Sequence, residues 1–157
     1  MTDSQSLKKL NVALLFGGPS RERGISLNSA RSCLDHLQPL PLHLSLFYLH
    51  PTGKFYQLSS TELYSNTPAD FDFKLAGRRQ SLTEEELGEK LQSVDLVFPL
   101  IHGPYGEDGT LQALLEARKI AFVGSPSAVC KRMFNKYEAR KWLECHDFPL
   151  LPALRIE

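Results

Sequence analysis

The stretch LNVALLFGG, residues 10–18, decides the fold. Residues 10–17 are apolar almost without interruption and the run ends in two glycines. A strand with one wet face would alternate apolar and polar residues. A short continuous run instead reads as a strand buried on both faces, the kind found in parallel sheets sandwiched between helices. Working outward, Leu27, Ala30, Leu34 and Leu37 recur at three- and four-residue spacing and predict a helix over 25–37. Residues 42–48 (LHLSLFY) alternate as a second strand, 50–53 make a turn, and 54–58 form a short strand after it.

Residues 59–81 are the least periodic part and read as loop with at most one helical turn. Thr83 and Glu86 have capping-box spacing, which predicts a helix from there to about 92. Residues 94–100 (VDLVFPL) read as an apolar strand, 109–118 as a helix and 121–123 as a short strand. Ser125-Pro126 reads as a cap with proline at the first helical position, and Asn135 caps a last helix to about 146. Phe148-Pro149 ends it, because proline pushes the preceding residue out of the helical region. Strand and helix signals alternate, which is the pattern of an α/β domain with a mostly parallel sheet and helices on both faces.

The 157 residues suit one domain, which at this size buries roughly 68–70% of its unfolded surface. Lys and Arg balance Asp and Glu at 18 each, so the chain lacks the basic excess that non-specific nucleic-acid binding draws on. No apolar run approaches the ~20 residues of a membrane span. Residues 1–9 are polar and unlike a secretory signal. Cys33, Cys130 and Cys145 are odd in number with no Cys-x-x-Cys, which fits a reduced cytoplasmic setting.

Two constellations carry possible chemistry. The first is Gly17-Gly18-Pro19-Ser20-Arg21-Glu22-Arg23-Gly24-Ile25-Ser26, at the carboxyl end of the first strand. Ligands of open α/β sheets sit beyond that end, and two glycines let a backbone come close to one. A plain glycine turn with a solvated Arg-Glu-Arg run stands beside that reading. The dinucleotide fingerprint Gly-x-Gly-x-x-Gly is not met and no Walker lysine follows, which disfavours a nicotinamide oxidoreductase. The second constellation is His102-Gly103-Pro104-Tyr105-Gly106-Glu107-Asp108-Gly109-Thr110-Leu111-Gln112, which follows a strand and opens a helix. Asp108 can cap that helix and Glu107 can hold a neighbouring loop. His102, which can change charge near neutrality and donate to a carboxylate, is the better ligand contact. The other four histidines lack a partner motif.

The second motif resembles the N-terminal signature of D-alanine–D-alanine ligases, the ATP-grasp enzymes of peptidoglycan precursor synthesis. Residues 12–18 followed by Ser20-x-Glu22-x-x-Ile25-Ser26 resemble the family's opening. Residues 94–100 resemble its Asp-x-Val-Phe-Pro strand. Phe122-Val123-Gly124-Ser125 and Phe134-Asn135-Lys136 resemble its Tyr-x-Gly-Ser and Met-Asp-Lys segments. Together they span roughly residues 10–150.

The resemblance implies a Rossmann-like three-layer α/β domain, the pre-ATP-grasp layer, over residues 10–150. A disordered polar tail over 1–9 precedes it, and 151–157 begin a linker to an ATP-grasp domain absent from this chain. It implies that Glu22 contacts the ammonium of the first D-alanine and that His102 lies near its carboxylate. Both are catalytic and substrate-binding candidates, with Gly17, Gly18 and Ser26 lining the same site. Lys136 matches a lysine used on the ATP phosphates; a solvated lysine in a first helical turn is the plainer alternative. ATP and Mg²⁺ or Mn²⁺ would serve the whole enzyme, held mainly by absent domains, so the fragment alone should not turn over. A cytoplasmic homodimer, with neither nucleic acid nor membrane as partner, is implied as well. A D-alanine–D-lactate or D-serine ligase domain, or a non-catalytic binding or scaffold module, are the competing readings. Asn135 and Phe134 depart from the family's aspartate and methionine, which bears on Lys136.

Overall fold

The computed structural model describes residues 9–64, 67–78 and 80–154. Its elements in chain order are β1 (Leu10–Gly17), α1 (Arg23–Leu37), β2 (Leu42–Leu49), β3 (Phe55–Leu58), α2 (Ser60–Leu63) and α3 (Pro68–Ala76). There follow α4 (Glu84–Leu91), β4 (Leu96–Pro99), α5 (Thr110–Ala117), α6 (Ser127–Phe134) and α7 (Lys136–Glu144). The strand order is β3-β2-β1-β4. β1 is parallel to both β2 and β4, and β3 pairs antiparallel at the β2 edge.

The continuous apolar run of β1 follows from this order. Val12, Leu14 and Phe16 point into one core with Leu27, Ala30 and Leu34 of α1, Leu63 of α2, and Phe71 and Leu75 of α3. Ala13 and Leu15 point into the opposite core with Leu87 and Leu91 of α4 and Leu111 and Leu115 of α5. The period of two sends alternate side chains to opposite faces, so a central strand covered on both sides needs apolar residues at every position. The result is a three-layer α/β domain with a mostly parallel sheet, as the sequence predicts.

Three expectations change. Residues 59–81 hold two helices, not a loop with one turn. α2 has a capping box from Ser59 and Glu62. α3 begins with Pro68 after Thr67, whose Oγ1 accepts from the Asp70 amide at 3.2 Å. Only Phe71 and Leu75 of α3 are buried, too few to show a period. The strand expected at 121–123 is one parallel bridge, Val97 to Phe122, held by Val97 N–H to Ala121 O and Val123 N–H to Val97 O, both 2.9 Å. Gly124 then turns away at φ +137°. Pro126 precedes α6 as its cap, so proline lies one place before the first helical residue.

The capping box at Thr83 and Glu86 and the Asn135 cap both form as expected. Asn135 Oδ1 accepts from the Tyr137 and Glu138 amides at 3.1 and 3.2 Å. The tail expected over 1–9 falls outside the described residues except for Lys9, and residues 155–157 fall outside them too. Residues 151–154 carry no regular element. Among the described residues, no helix is long and apolar enough to cross a membrane.

Candidate active site

In this strand order the chain runs from β1 by way of α1 to β2 on one side and reaches β4 on the other. The carboxyl ends of β1 and β4 therefore mark the point where the sheet's winding reverses, the place where α/β folds bind ligands. Both sequence constellations emerge there. Ser26 ties them together: its Oγ accepts from the Gly17 amide at 2.7 Å and donates to Leu100 O at 2.6 Å. Ser26 is fully buried.

Three residues expected to line a substrate site are packed against the protein itself in this placement. The only proton of the Ser26 hydroxyl is already given to Leu100 O, so the side chain is a staple between β1 and β4. Gly17 and Gly18 have φ of +96° and +104° and are packed against protein. A Cβ on Gly17 would lie 2.4 Å from Leu49 O and 2.6 Å from the Tyr48 ring, and one on Gly18 2.7 Å from Ile101 Cγ2. The close approach these glycines allow is that of neighbouring strands and the β4 loop.

The histidine loop divides its labour in the same manner. Asp108 accepts from the Tyr105 and Thr110 amides, both at 2.9 Å, closing the loop on itself. Gln112 Nε2 donates to Gly106 O at 2.6 Å, and a Cβ on Gly106 would meet Ile101 O. These residues hold the loop's shape; the cap of α5 expected at Asp108 is instead Gly109, at φ +89°, with Asp108 one residue before it. Burial pushes the Asp108 carboxyl up, but the two backbone donors outweigh it and hold it below the usual carboxylate range. Asp108 binds its proton less tightly folded than unfolded. Its stabilisation is therefore present above the unfolded value of about 3.9 and is lost as pH falls through the depressed folded value. Asp108→Asn is expected to unfold at lower denaturant than the parent at pH 7, with the gap closing towards pH 2. An unchanged gap across an acid denaturation series would contradict this.

His102 and Glu107 are turned outward. Glu107 Oε1 lies 3.4 Å from His102 Nδ1, and Ser29 Oγ on α1 lies 3.1 Å from Nε2. Glu22 reaches the same spot from the first loop: a Cβ on Gly103 would lie 3.1 Å from Glu22 Oε2 and 2.7 Å from Ser20 Oγ. The glycine after His102 thus makes room for the Glu22 carboxylate. Ser20 Oγ also accepts from the Glu22 amide at 3.0 Å, which shapes the turn into α1. An exposed carboxylate beside Gly103, the residue that follows the imidazole, could with that imidazole hold the two ends of a zwitterion.

Lys136, the first residue of α7, is exposed and lines an open pocket of about 490 Å³ with Glu107, Gln112, Ser125 and Cys130. It neighbours the histidine loop across that pocket, which Gly106 and Glu107 also line. Sequence reasoning missed Ser29 and Ser20. Ser29 is three residues after Ser26 on α1, a spacing that places both on one face. Among the described residues no group of three or more His, Cys, Asp and Glu side chains is arranged to hold a metal ion.

Comparison with known proteins gives the family. The family model described as D-ala D-ala ligase N-terminus matches residues 11–125. The D-alanine--D-alanine ligase A of Chromobacterium violaceum is 35% identical over 162 residues, covering 94% of this chain and 43% of the relative. The D-alanine--D-alanine ligase of Mycolicibacterium gilvum is 34% identical over 160 residues, covering 90% of this chain and 43% of the relative. Among solved structures, the D-alanine-D-alanine ligase from Coxiella burnetii superposes with a TM-score of 0.72 at 27% identity, covering 92% of this chain and 44% of that one. The chain spans about two-fifths of the length of the curated relatives it matches. With its helix-flanked sheet and its histidine loop at the winding reversal, the chain belongs to the D-alanine–D-alanine ligase N-terminal family.

Proposed function

We propose that residues 10–150 form the first-substrate wall of an ATP-dependent D-alanine–D-alanine ligase of cytoplasmic peptidoglycan precursor synthesis. The observation that carries it is the meeting of Glu22 and the His102 loop across Gly103. The Glu22 carboxylate would take the ammonium of the first D-alanine, and the His102 imidazole its carboxylate. Glu107 at Nδ1 would hold the imidazole in place, and Ser29, 3.1 Å from Nε2, would give up that nitrogen to the substrate carboxylate. An amino acid held at both ends presents its carboxylate in a fixed direction, and such positioning is a large part of phosphoryl and acyl transfer.

The reaction joins two D-alanines. ATP phosphorylates the carboxylate of the first, and the amine of the second displaces phosphate to give dipeptide, ADP and phosphate. ATP is proposed to bind mainly on domains beyond these residues, with Lys136 contributing from this side. Among the described residues the acidic side chains are not grouped as a set that fits Mg²⁺, and the ion is proposed to be held mainly where ATP is. A homodimer through this domain is part of the same proposal.

The chain alone is expected to release no phosphate from ATP with D-alanine and Mg²⁺. Fused after residue 150 to the remaining domains of a related ligase, it is expected to restore D-alanine-dependent ADP formation. Turnover by the 157 residues alone, or a folded fusion that ignores D-alanine, would contradict the assignment.

A further inference from the structure

Arg23 is an odd residue to find at the first position of α1, because a cation there opposes the positive end of the helix dipole. The first turn of α1 carries no acid, and Glu22 at the cap makes no side-chain capping bond. The compensation comes from another element. Arg23 makes a bidentate pair with Asp72 of α3, Nη1 to Oδ1 at 2.7 Å and Nη2 to Oδ2 at 2.9 Å, and Nη1 also donates to the Tyr48 hydroxyl at 3.2 Å. His50 Nε2 approaches the same carboxylate at 3.4 Å. The Arg23 side chain is only 17% exposed, so the pair is shielded on the arginine side. A parallel fork of this kind fixes direction as well as distance.

We propose that Arg23, clamped by Asp72 and Tyr48, is the positioning residue that fixes Glu22 at the rim of the substrate site. The carbonyl of Glu22 accepts from the Ile25 and Ser26 amides at 2.9 and 3.0 Å, so the first turn of α1 and the Glu22 backbone move together. With Arg23 anchored on the α3 side and Gly103 opposite, the Glu22 carboxylate is held against the histidine loop. The Tyr48 phenol belongs to the device. Burial, above all, pushes it up to about 12, so it remains a neutral partner at working pH. α3 thereby gains a purpose: it is a brace for a loop to which its own residues do not belong.

The functional meaning rests on Glu22 being the ammonium contact, whereas the clamp itself is tested separately. Amide hydrogen exchange of this chain is compared for the parent, Asp72→Asn, Asp72→Glu and Arg23→Lys. Asp72→Asn and Arg23→Lys are expected to speed exchange at Ile25 and Ser26 roughly tenfold. Exchange at Leu14 in the core should stay unchanged, and Asp72→Glu should recover part of the protection. D-alanine affinity, followed by titration, should fall severalfold in the first two variants and recover with the third. Faster exchange confined to α3, or acceleration at Leu14 equal to that at Ile25, overturns the clamp. If Asp72→Asn fails to fold, Arg23→Lys alone decides. A parent chain with no response to D-alanine removes the substrate reading and leaves the exchange result to judge the clamp.

Discussion

Gly17→Ala is expected to destabilise the domain by about 3–5 kcal/mol, the sum of left-handed backbone strain and an overpacked contact. The residue has φ +96°, and a Cβ would lie 2.4 Å from Leu49 O, a backbone atom that cannot move without disturbing β2. For a domain of this size the melting temperature should fall by roughly 10 °C or more. Gly53 supplies the control. Its φ is +83° with nothing within 4 Å of the added carbon, so Gly53→Ala carries the strain without the clash. Thermal and urea unfolding of both variants measure the difference. Equal losses would show that strand packing places no demand on Gly17.

Glu22→Gln is expected to weaken D-alanine binding by roughly tenfold to a hundredfold, the worth of a hydrogen bond to a charged group. The amide keeps the shape of the carboxylate but cannot offer a full charge to an ammonium. Stability should hardly change, because Glu22 is exposed and core packing does not include it. Titration calorimetry on parent and variant reads the affinity, and unfolding curves check the fold. Unaltered affinity in a folded variant would remove Glu22 from the ammonium position.

The layers were legible because burial imposes a period. β2 carries that signature by alternation and α1 by its helical stripe, while β1 is legible as a continuous apolar run and α4 by its capping box at Thr83. α2 and α3 lacked it: they bury Leu63, Phe71 and Leu75 between them. Their start signals, Ser59 with Glu62 and Thr67 before Pro68, were present in the sequence but lay in a stretch with no period to support them. The meeting of two loops on one rim was legible. Which residues of those loops face outward was not, because motif membership does not separate a side chain that holds the loop from one that holds a ligand. Asp108, Gln112, Gly17, Gly18 and Ser26 are bonded or packed within the frame, while Glu22 and Glu107 are exposed and His102 is half-buried between Glu107 and Ser29. Long-range partners lay beyond local reading altogether. Arg23 looked like part of a solvated charged run, and its Asp72 partner is 49 residues away.

The central claim is that one small space at the β1/β4 rim holds both ends of a D-amino acid. Its most direct test is nuclear magnetic resonance of the labelled chain titrated with D-alanine, N-acetyl-D-alanine and D-alaninamide. D-Alanine is expected to shift the Glu22, His102 and Gly103 signals together and saturably. N-Acetyl-D-alanine, which lacks the ammonium, should lose the response at Glu22, and D-alaninamide, which lacks the carboxylate, the response at His102. Shifts that fall elsewhere on the domain, or no saturable shift with D-alanine, would contradict the account.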